Sequence, residues 1–273
     1  MTQGDSEMEG DVTANGVRLH YKIDGPDEGI PLVFCNSLAT DLNMWNEQIA
    51  ALADKYRILR YDRRGHGQSE AKDEPIEIKT LADDVVALAE ALGFKGAHFC
   101  GLSIGGMTGQ ALGLYHPGVF KSLALCATTS AIPKEMHQTW IDRVATVKEN
   151  GMEAMGDTTV QRWFTEDWIS ANPSRVAEVR SMIVNTSIIG YSRCCEAISR
   201  LDYTSQLGSI KTPTIIIPGE VDPALPPAMS DVIHENLPGS RLETVKGAAH
   251  LCNVQAPDQF NDILRRWLDE QSA

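Results

Sequence analysis

A serine between two glycines stands in the segment with the most recognisable chemistry. Residues 101–105 read Gly-Leu-Ser-Ile-Gly, directly after the apolar run 97–100 and directly before a helical pattern. This is the strand–turn–helix setting of a nucleophile elbow, in which a sharp turn exposes a serine hydroxyl. Glycines are needed on both sides because a Cβ there would collide across the turn. We therefore predict that Ser103 is a nucleophile; an idle serine in a tight turn is the plainer alternative.

A serine hydroxyl is a weak nucleophile at neutral pH, so it needs a general base, and the base needs an orienting acid. In chains with this kind of elbow, the acid and then the histidine follow the serine. Asp222 and His250 each follow a strand-like run, which places them in loops at the same sheet edge as Ser103. Glu220 is the competing acid. We prefer Asp222, because the loop needs length to reach back to His250.

Hydrolysis by a serine nucleophile also requires backbone N–H groups that donate hydrogen bonds to the oxyanion as it develops. The residue after the nucleophile supplies one of them, so we predict the N–H of Ile104. The other comes from the loop after the first parallel strand, which reads Asn-Ser-Leu at 36–38, and we predict Leu38. This chemistry uses no cofactor and no metal, and the sequence has no Cys-x-x-Cys pair that would indicate a zinc site.

The elements that position these residues follow from the alternation of patterns along the chain. Strands at 11–14 and 17–23 flank an Asn-Gly dipeptide, which predicts a hairpin. Short apolar runs then alternate with helical patterns, which is typical of a parallel sheet with crossover helices. The predicted strands are 31–35, 56–61, 96–101, 122–126, 214–218 and 241–245, and the predicted helices are 45–53, 78–92, 104–115, 228–236 and 256–270.

Residues 132–206 break this rhythm. They contain amphipathic helical patterns, no strand-like run and three of the five tryptophans. Since this is too long for a simple crossover loop, we predict a helical cap over the carboxyl ends of the strands. A few helices packed beside the sheet are the alternative. The predicted division is therefore an α/β core at 11–131 and 207–271 with a helical cap at 132–206, which we call the cap segment.

Composition limits the partners and the compartment. The 273 residues carry 24 Lys+Arg against 37 Asp+Glu, a formal net charge of −13. This charge repels phosphate backbones and anionic bilayers, so we expect neither nucleic acid nor membrane as a partner. Residues 1–10 are acidic and polar, unlike a secretory signal, and we expect them to fray. Six cysteines without a bridging pattern suggest free thiols and a cytoplasmic protein. The composition is compatible with a homo-oligomer as well as with a monomer.

The chain resembles the α/β-hydrolases and, within that superfamily, the 3-oxoadipate enol-lactonases. The resemblance extends from about residue 16 to 268. Two segments are more specific to the lactonase branch, Asn-Ser-Leu at 36–38 and Ala-Ala-His-Leu-Cys-Asn-Val at 248–254. Two departures are Ile104, where methionine is common, and Ala39, where glycine is common. The other resembling segments are 35–41, 44–45, 59–67, 98–106, 162–164 and 217–223.

The resemblance implies that the substrate is 3-oxoadipate enol-lactone, opened to 3-oxoadipate through an acyl-enzyme on Ser103. The free carboxylate of that lactone calls for a cation from the cap segment. We predict Arg143, with Trp140 one helical turn earlier as an aromatic wall. The other candidate cations are Arg162, Arg193 and Lys134.

Several other functions fit the same catalytic residues. Carboxylesterases, other lactonases including acyl-homoserine lactonases, carbon–carbon bond hydrolases and perhydrolases all use this elbow, because specificity lies in the pocket rather than in the fold. Outside the enzymes, a ligand receptor built on the same fold is the alternative. A serine nucleophile argues against dehalogenase and epoxide-hydrolase chemistry, which normally use aspartate on this fold.

Overall fold

The computed structural model describes residues 8–273. Within them, eight strands form one sheet in the order β1-β2-β4-β3-β5-β6-β7-β8. The pairs β1–β2 and β2–β4 are antiparallel and the other pairs are parallel. The strands are β1 (Met8–Ala14), β2 (Val17–Asp24), β3 (Ile30–Cys35), β4 (Tyr56–Tyr61), β5 (His98–Leu102), β6 (Ser122–Cys126), β7 (Thr214–Ile217) and β8 (Arg241–Leu242).

Helices flank this sheet and fill the cap segment. Those of the sheet layers are α1 (Asn46–Leu52), α2 (Ile78–Ala91), α3 (Ile104–Tyr115), α9 (Pro227–Asn236), α10 (Cys252–Gln255) and α11 (Pro257–Ser272). Those of the cap segment are α4 (His137–Asn150), α5 (Gly156–Trp163), α6 (Glu166–Ala171), α7 (Pro173–Val184) and α8 (Ile188–Ser199). Short 3-10 helices cover Leu42–Trp45, Lys134–Met136, Met152–Met155 and Thr204–Ser209. None of the helices within 8–273 is long and apolar enough to cross a bilayer.

The central strands are buried on both faces, which is why they read as continuous apolar runs. Every residue of β5 and β6 is buried. The one histidine in β5, His98, bonds the hydroxyls of Ser122 and Ser272 at 2.8 and 3.0 Å. Burial lowers the pKa of His98 to about 4. His98 is therefore a neutral core residue, as its position in an apolar strand predicts.

The strand order reverses at β3, which lies between β4 and β5. Ligands of open α/β sheets bind in the crevice outside the carboxyl ends of the strands at such a switch point. Cys35 at the end of β3 lies opposite Gly101 in β5. The register therefore places the loop at 36–38 beside the turn at Ser103.

The element boundaries differ from the sequence prediction at both edges of the sheet. Residues 8–10 lie in strand β1, where Met8 pairs with Ile23, and so they belong to the sheet, whereas the sequence predicts a frayed end there; the rest of that prediction concerns residues outside the described part. At the other edge β8 ends at Leu242, well before Val245. Pairing continues irregularly, because Val245 N still donates to Pro218 O at 2.9 Å.

The two crossings between the sheet and the cap segment run side by side. Ile132 N donates to Leu201 O at 3.0 Å, and Tyr203 N donates to Ser130 O at 2.7 Å. Helices α4 to α8 all lie between these crossings. Residues 132–206 are helical, as the sequence pattern predicts. The division of the chain into a core and a separate cap domain stays a prediction.

Candidate active site

Ser103 occupies a strained turn between β5 and α3. Its backbone has φ +60° and ψ −117°, in the region that favours glycine. Strain of this kind persists only where the surroundings over-determine it. Ser103 N donates to Cys126 O at 2.8 Å, and the hydroxyl of Thr128 donates to Ser103 O at 2.7 Å. A Cβ on Gly101 would lie 2.2 Å from Gly105 O, so the tight turn needs that glycine.

Asp222 and His250 are in contact. Asp222 follows β7 by five residues, and its Oδ2 lies 2.7 Å from His250 Nδ1. Both side chains are buried. The other carboxylate oxygen accepts the N–H groups of Ala224 and Leu225 at 2.7 and 3.0 Å, so the carboxylate is held in place. With Nδ1 bonded to the carboxylate, Nε2 is the ring nitrogen free to accept a proton.

The competing acid points away from this pair. Glu220 is 43% exposed and binds Lys246 Nζ and Gly247 N, each at 2.9 Å. These contacts, the lysine first, lower the pKa of Glu220. The structure therefore brings Asp222, rather than Glu220, to His250.

Ser103 and His250 line the same cavity, together with Ser37, Leu38 and Ala39 of the loop after β3. The loop turns sharply there, since Ala39 has φ +59°. This backbone conformation favours glycine, the residue that the resemblance leads us to expect at this position. Alanine therefore holds the same turn under some strain.

The two predicted oxyanion donors are Ile104, which follows Ser103 in the chain, and Leu38, which lines the same cavity as Ser103. Ile104 is the first residue of α3, and first-turn N–H groups have no intrahelical acceptor. In the part of the chain that the structure describes, no protein acceptor takes the N–H of Leu38 either. A Cβ on Gly105 would lie 2.2 Å from Cys35 O. α3 therefore packs closely against the end of β3, just before the loop that contains Leu38.

The cap segment supplies the opposite wall of the cavity. Trp140 and Arg143 come from α4, and the Arg143 guanidinium lies 4.8 Å from the centre of the Trp140 ring. Trp163 comes from α5 and lies 6.0 Å from the His250 ring, centre to centre. Tyr191 and other residues of α8 complete the wall. The predicted pair Trp140 and Arg143 thus faces the same cavity as Ser103.

Of the four candidate cations, the structure places two in this cavity. Arg143 and Arg162 line it, and among residues 8–273 neither forms an ion pair with a carboxylate. Burial, and then the charge of Arg143, lower the pKa of Arg162. Arg193 instead binds Asp73 and Glu196 at 2.6 and 2.7 Å. Lys134 lines a separate cleft.

Sequence reasoning missed the rest of the cap wall. Trp163, Tyr191 and Ile198 line the cavity without having been singled out as contacts. The amphipathic periodicity of α5 and α8 shows which face of each helix is buried, but not whether that face meets the core or a cavity. Only the segment 162–164, which belongs to the resemblance, gave a signal near Trp163.

Comparison with known proteins agrees with this geometry. The family model described as the α/β hydrolase fold matches residues 30–257. Two proteins of Acinetobacter baylyi, 3-oxoadipate enol-lactonases 2 and 1, are 37% and 34% identical over 92% and 91% of this chain and 92% of their own lengths. The crystal structure of the enol-lactonase from Burkholderia xenovorans superposes with a TM-score of 0.91 at 37% identity, covering 95% of this chain and 100% of that one. This chain is therefore a hydrolase of the α/β-hydrolase family, and within that family it belongs with the enol-lactonases.

Proposed function

We propose that the protein hydrolyses 3-oxoadipate enol-lactone to 3-oxoadipate, with Ser103, His250 and Asp222 as a catalytic triad. The observation that carries the proposal is the composition of one cavity. It combines a serine on a strained turn, a histidine bound to a buried carboxylate, and two arginines that form no ion pair with a carboxylate among residues 8–273. The similarity to enol-lactonases supports the choice of a cyclic ester that carries a free carboxylate.

Acylation follows from the order of contacts. His250 Nε2 accepts the proton of the Ser103 hydroxyl while Oγ forms a bond to the lactone carbonyl carbon. The carbonyl oxygen becomes an oxyanion, which accepts the N–H groups of Leu38 and Ile104. Asp222 stabilises the imidazolium that forms. The tetrahedral intermediate then collapses, the ring carbon–oxygen bond breaks, and the His250 imidazolium gives its proton to the departing group, so His250 is neutral again.

Ring opening leaves the leaving group attached to the acyl-enzyme. This group departs as an enol or enolate, and as long as it keeps its oxygen nucleophile it can close the ring again. Tautomerisation to the ketone removes that nucleophile and draws the reaction forward. Water, deprotonated by His250, then attacks the ester carbonyl and releases the product acid and the Ser103 hydroxyl.

The cap segment is proposed to recognise the carboxylate of the substrate. Arg143 and Arg162 offer ten N–H donors between them in a largely apolar cavity, where charge-assisted hydrogen bonds are strong. We assign the carboxylate to Arg143, with Trp140 as the aromatic wall and Arg162 as a second positive charge.

The cellular setting is also part of the proposal. All six cysteines are free and buried. Because free thiols of this number are typical of reducing compartments, we assign the protein to the cytoplasm.

A turnover panel tests the substrate. Purified protein is assayed with the enol-lactone, with simple aryl esters, with acyl-homoserine lactones and with carbon–carbon cleavage substrates. We expect the highest kcat/KM for the enol-lactone. A large preference for simple esters would replace the lactonase by a carboxylesterase. Binding of the lactone without release of acid would instead indicate a receptor.

The carboxylate assignment predicts a loss of affinity that depends on substrate charge. Arg143→Met is expected to raise KM for the enol-lactone by about 10- to 100-fold, the equivalent of one charge-assisted hydrogen bond. KM for a neutral lactone of similar size should stay nearly unchanged. Steady-state kinetics on both lactones gives the comparison, and Arg162→Met should act in the same direction.

A matched control comes from the same segment. Arg180 lies in α7 and binds Glu153 and Asp157, away from the cavity. Arg180→Met removes the same guanidinium and should leave both KM values unchanged. Equal KM changes for charged and neutral lactones in Arg143→Met would show that Arg143 shapes the cavity rather than binding the carboxylate.

A further inference from the structure

Arg63 lies beneath the loop at 36–38 and is almost completely buried, with 1% of its surface exposed. Its Nη1 donates to Ser37 O at 3.3 Å, and its Nη2 donates to Asn36 O. Nη2 also lies 3.6 Å from Cys35 Sγ. Every hydrogen bond of this guanidinium therefore goes to the end of β3 or to the loop that follows it.

The two neighbouring buried arginines are held differently. Arg60 binds Asp24 at 2.7 Å, and Arg64 binds Asp84 at 2.6 Å. Arg63 has no such acid within the described chain. Burying a charge without a counter-charge is costly, and the carbonyl dipoles of the loop are its main compensation. Because burying this charge is costly, we expect Arg63 to do more than hold the loop in place.

The carbonyl that Arg63 contacts belongs to a particular peptide unit. Ser37 C=O and Leu38 N–H are the two ends of one planar peptide group. Ser37 O also accepts the hydroxyl of Thr40 at 3.0 Å and the N–H of Thr40 at 3.4 Å. Donors at a carbonyl polarise the whole peptide, which makes the N–H at its other end a stronger donor.

We infer that Arg63 is a positioning residue that strengthens Leu38 N–H as an oxyanion donor by polarising and fixing the Ser37–Leu38 peptide. The inference rests on the proposed function, in which that N–H faces the oxyanion. Negative charge develops on one side of the peptide while a permanent positive charge sits on the other. In a water-excluded site this alignment favours the transition state over the neutral ground state.

The test compares an aryl ester with its thionoester, in which sulfur replaces the carbonyl oxygen. Sulfur accepts hydrogen bonds weakly, so a thionoester gains little from an oxyanion donor. Arg63→Met should lower kcat for the oxygen ester by about 10- to 100-fold, less than the loss of a direct donor, with little change in KM. The rate for the thionoester should fall much less, so the ratio of the two rates shrinks. Arg63→Lys, which keeps the charge, should recover part of the ratio.

Two further variants make the test decisive if Arg63→Met folds poorly. Thr40→Val removes a neutral donor from the same carbonyl and should reduce the ratio by about 2- to 10-fold. Arg200→Met removes an exposed guanidinium that donates to Ile76 O at 2.8 Å, and it should leave the ratio unchanged. Thermal unfolding monitors the fold of each variant.

The outcomes separate this inference from the function on which it rests. Equal losses for ester and thionoester, in Arg63→Met or in Thr40→Val, would mean that these residues only hold the structure together. Wild-type protein that hydrolyses neither esters nor lactones would remove the proposed function itself. If the wild type is active and the ratio of the ester rate to the thionoester rate is unchanged in the variants, the role of Arg63 is overturned while the proposed function stands.

Discussion

Ser103→Ala is expected to lower kcat for the enol-lactone by about 10⁶-fold, because alanine offers no nucleophile and the rest of the triad then has nothing to activate. A residual rate of about 10³- to 10⁴-fold over water should persist from the oxyanion donors and from binding. The measurement is product acid formed over hours by concentrated protein. Intact-mass spectrometry adds a second readout, since a serine-directed phosphonate should label the wild type and not the variant.

Another buried serine provides the control for this substitution. Ser192 lies in α8 next to Tyr191, and its hydroxyl has no partner among the described residues. Ser192→Ala should keep both the rate and the labelling. If Ser103→Ala binds lactone as the wild type does, and neither protein releases acid, the site is a receptor. Near-normal turnover by Ser103→Ala would refute the nucleophile outright.

Asp222→Asn is expected to lower kcat by about 10⁴-fold while leaving the fold nearly intact. An asparagine carbonyl oxygen can still accept the N–H groups of Ala224 and Leu225, so the loop keeps its shape. The side chain no longer carries the charge that stabilises the imidazolium of His250. If its amide group faces the ring, it also favours the tautomer with the proton on Nε2, which cannot act as the base. Turnover and circular dichroism together measure this effect.

Glu220→Gln is the matched control, because it neutralises a carboxylate only two residues away. Glu220 binds Lys246 at the surface, so we expect its neutralisation to change kcat by less than about twofold. A large loss in Glu220→Gln and none in Asp222→Asn would show that Glu220, and not Asp222, is the acid that acts on His250. That result would require the loop after β7 to rearrange.

The sequence pattern was most reliable where an element is buried along nearly its whole length. Helix α3 spans Ile104–Tyr115, and strands β4 and β6 span Tyr56–Tyr61 and Ser122–Cys126, all as predicted. These elements are buried in the middle of the molecule, so their apolar patterns run from end to end. The alternation of such elements predicts a parallel sheet with crossover helices, and the α/β-hydrolase fold that the resemblance implies is confirmed by the family match.

The pattern was less reliable at the sheet edges. Residues 8–10 are polar or exposed on one side, yet they pair with β2 because backbone hydrogen bonds need no apolar side chain. At the opposite edge, the predicted strand 241–245, which reads Arg-Leu-Glu-Thr-Val, is longer than the Arg241–Leu242 ladder that forms. In both places, the neighbouring backbone rather than the side-chain pattern decides where the strand ends.

The order of chemical groups along this chain was sufficient to choose Ser103, Asp222 and His250, because each follows a strand and parallel strands end at one edge. The tertiary structure decided what no local pattern encodes. It turned Arg143 and Arg162 into the cavity and Arg193 toward Asp73. It also set Arg63 behind the Ser37–Leu38 peptide. Periodicity records only whether a side chain is buried, whereas its partner depends on how distant segments pack against one another.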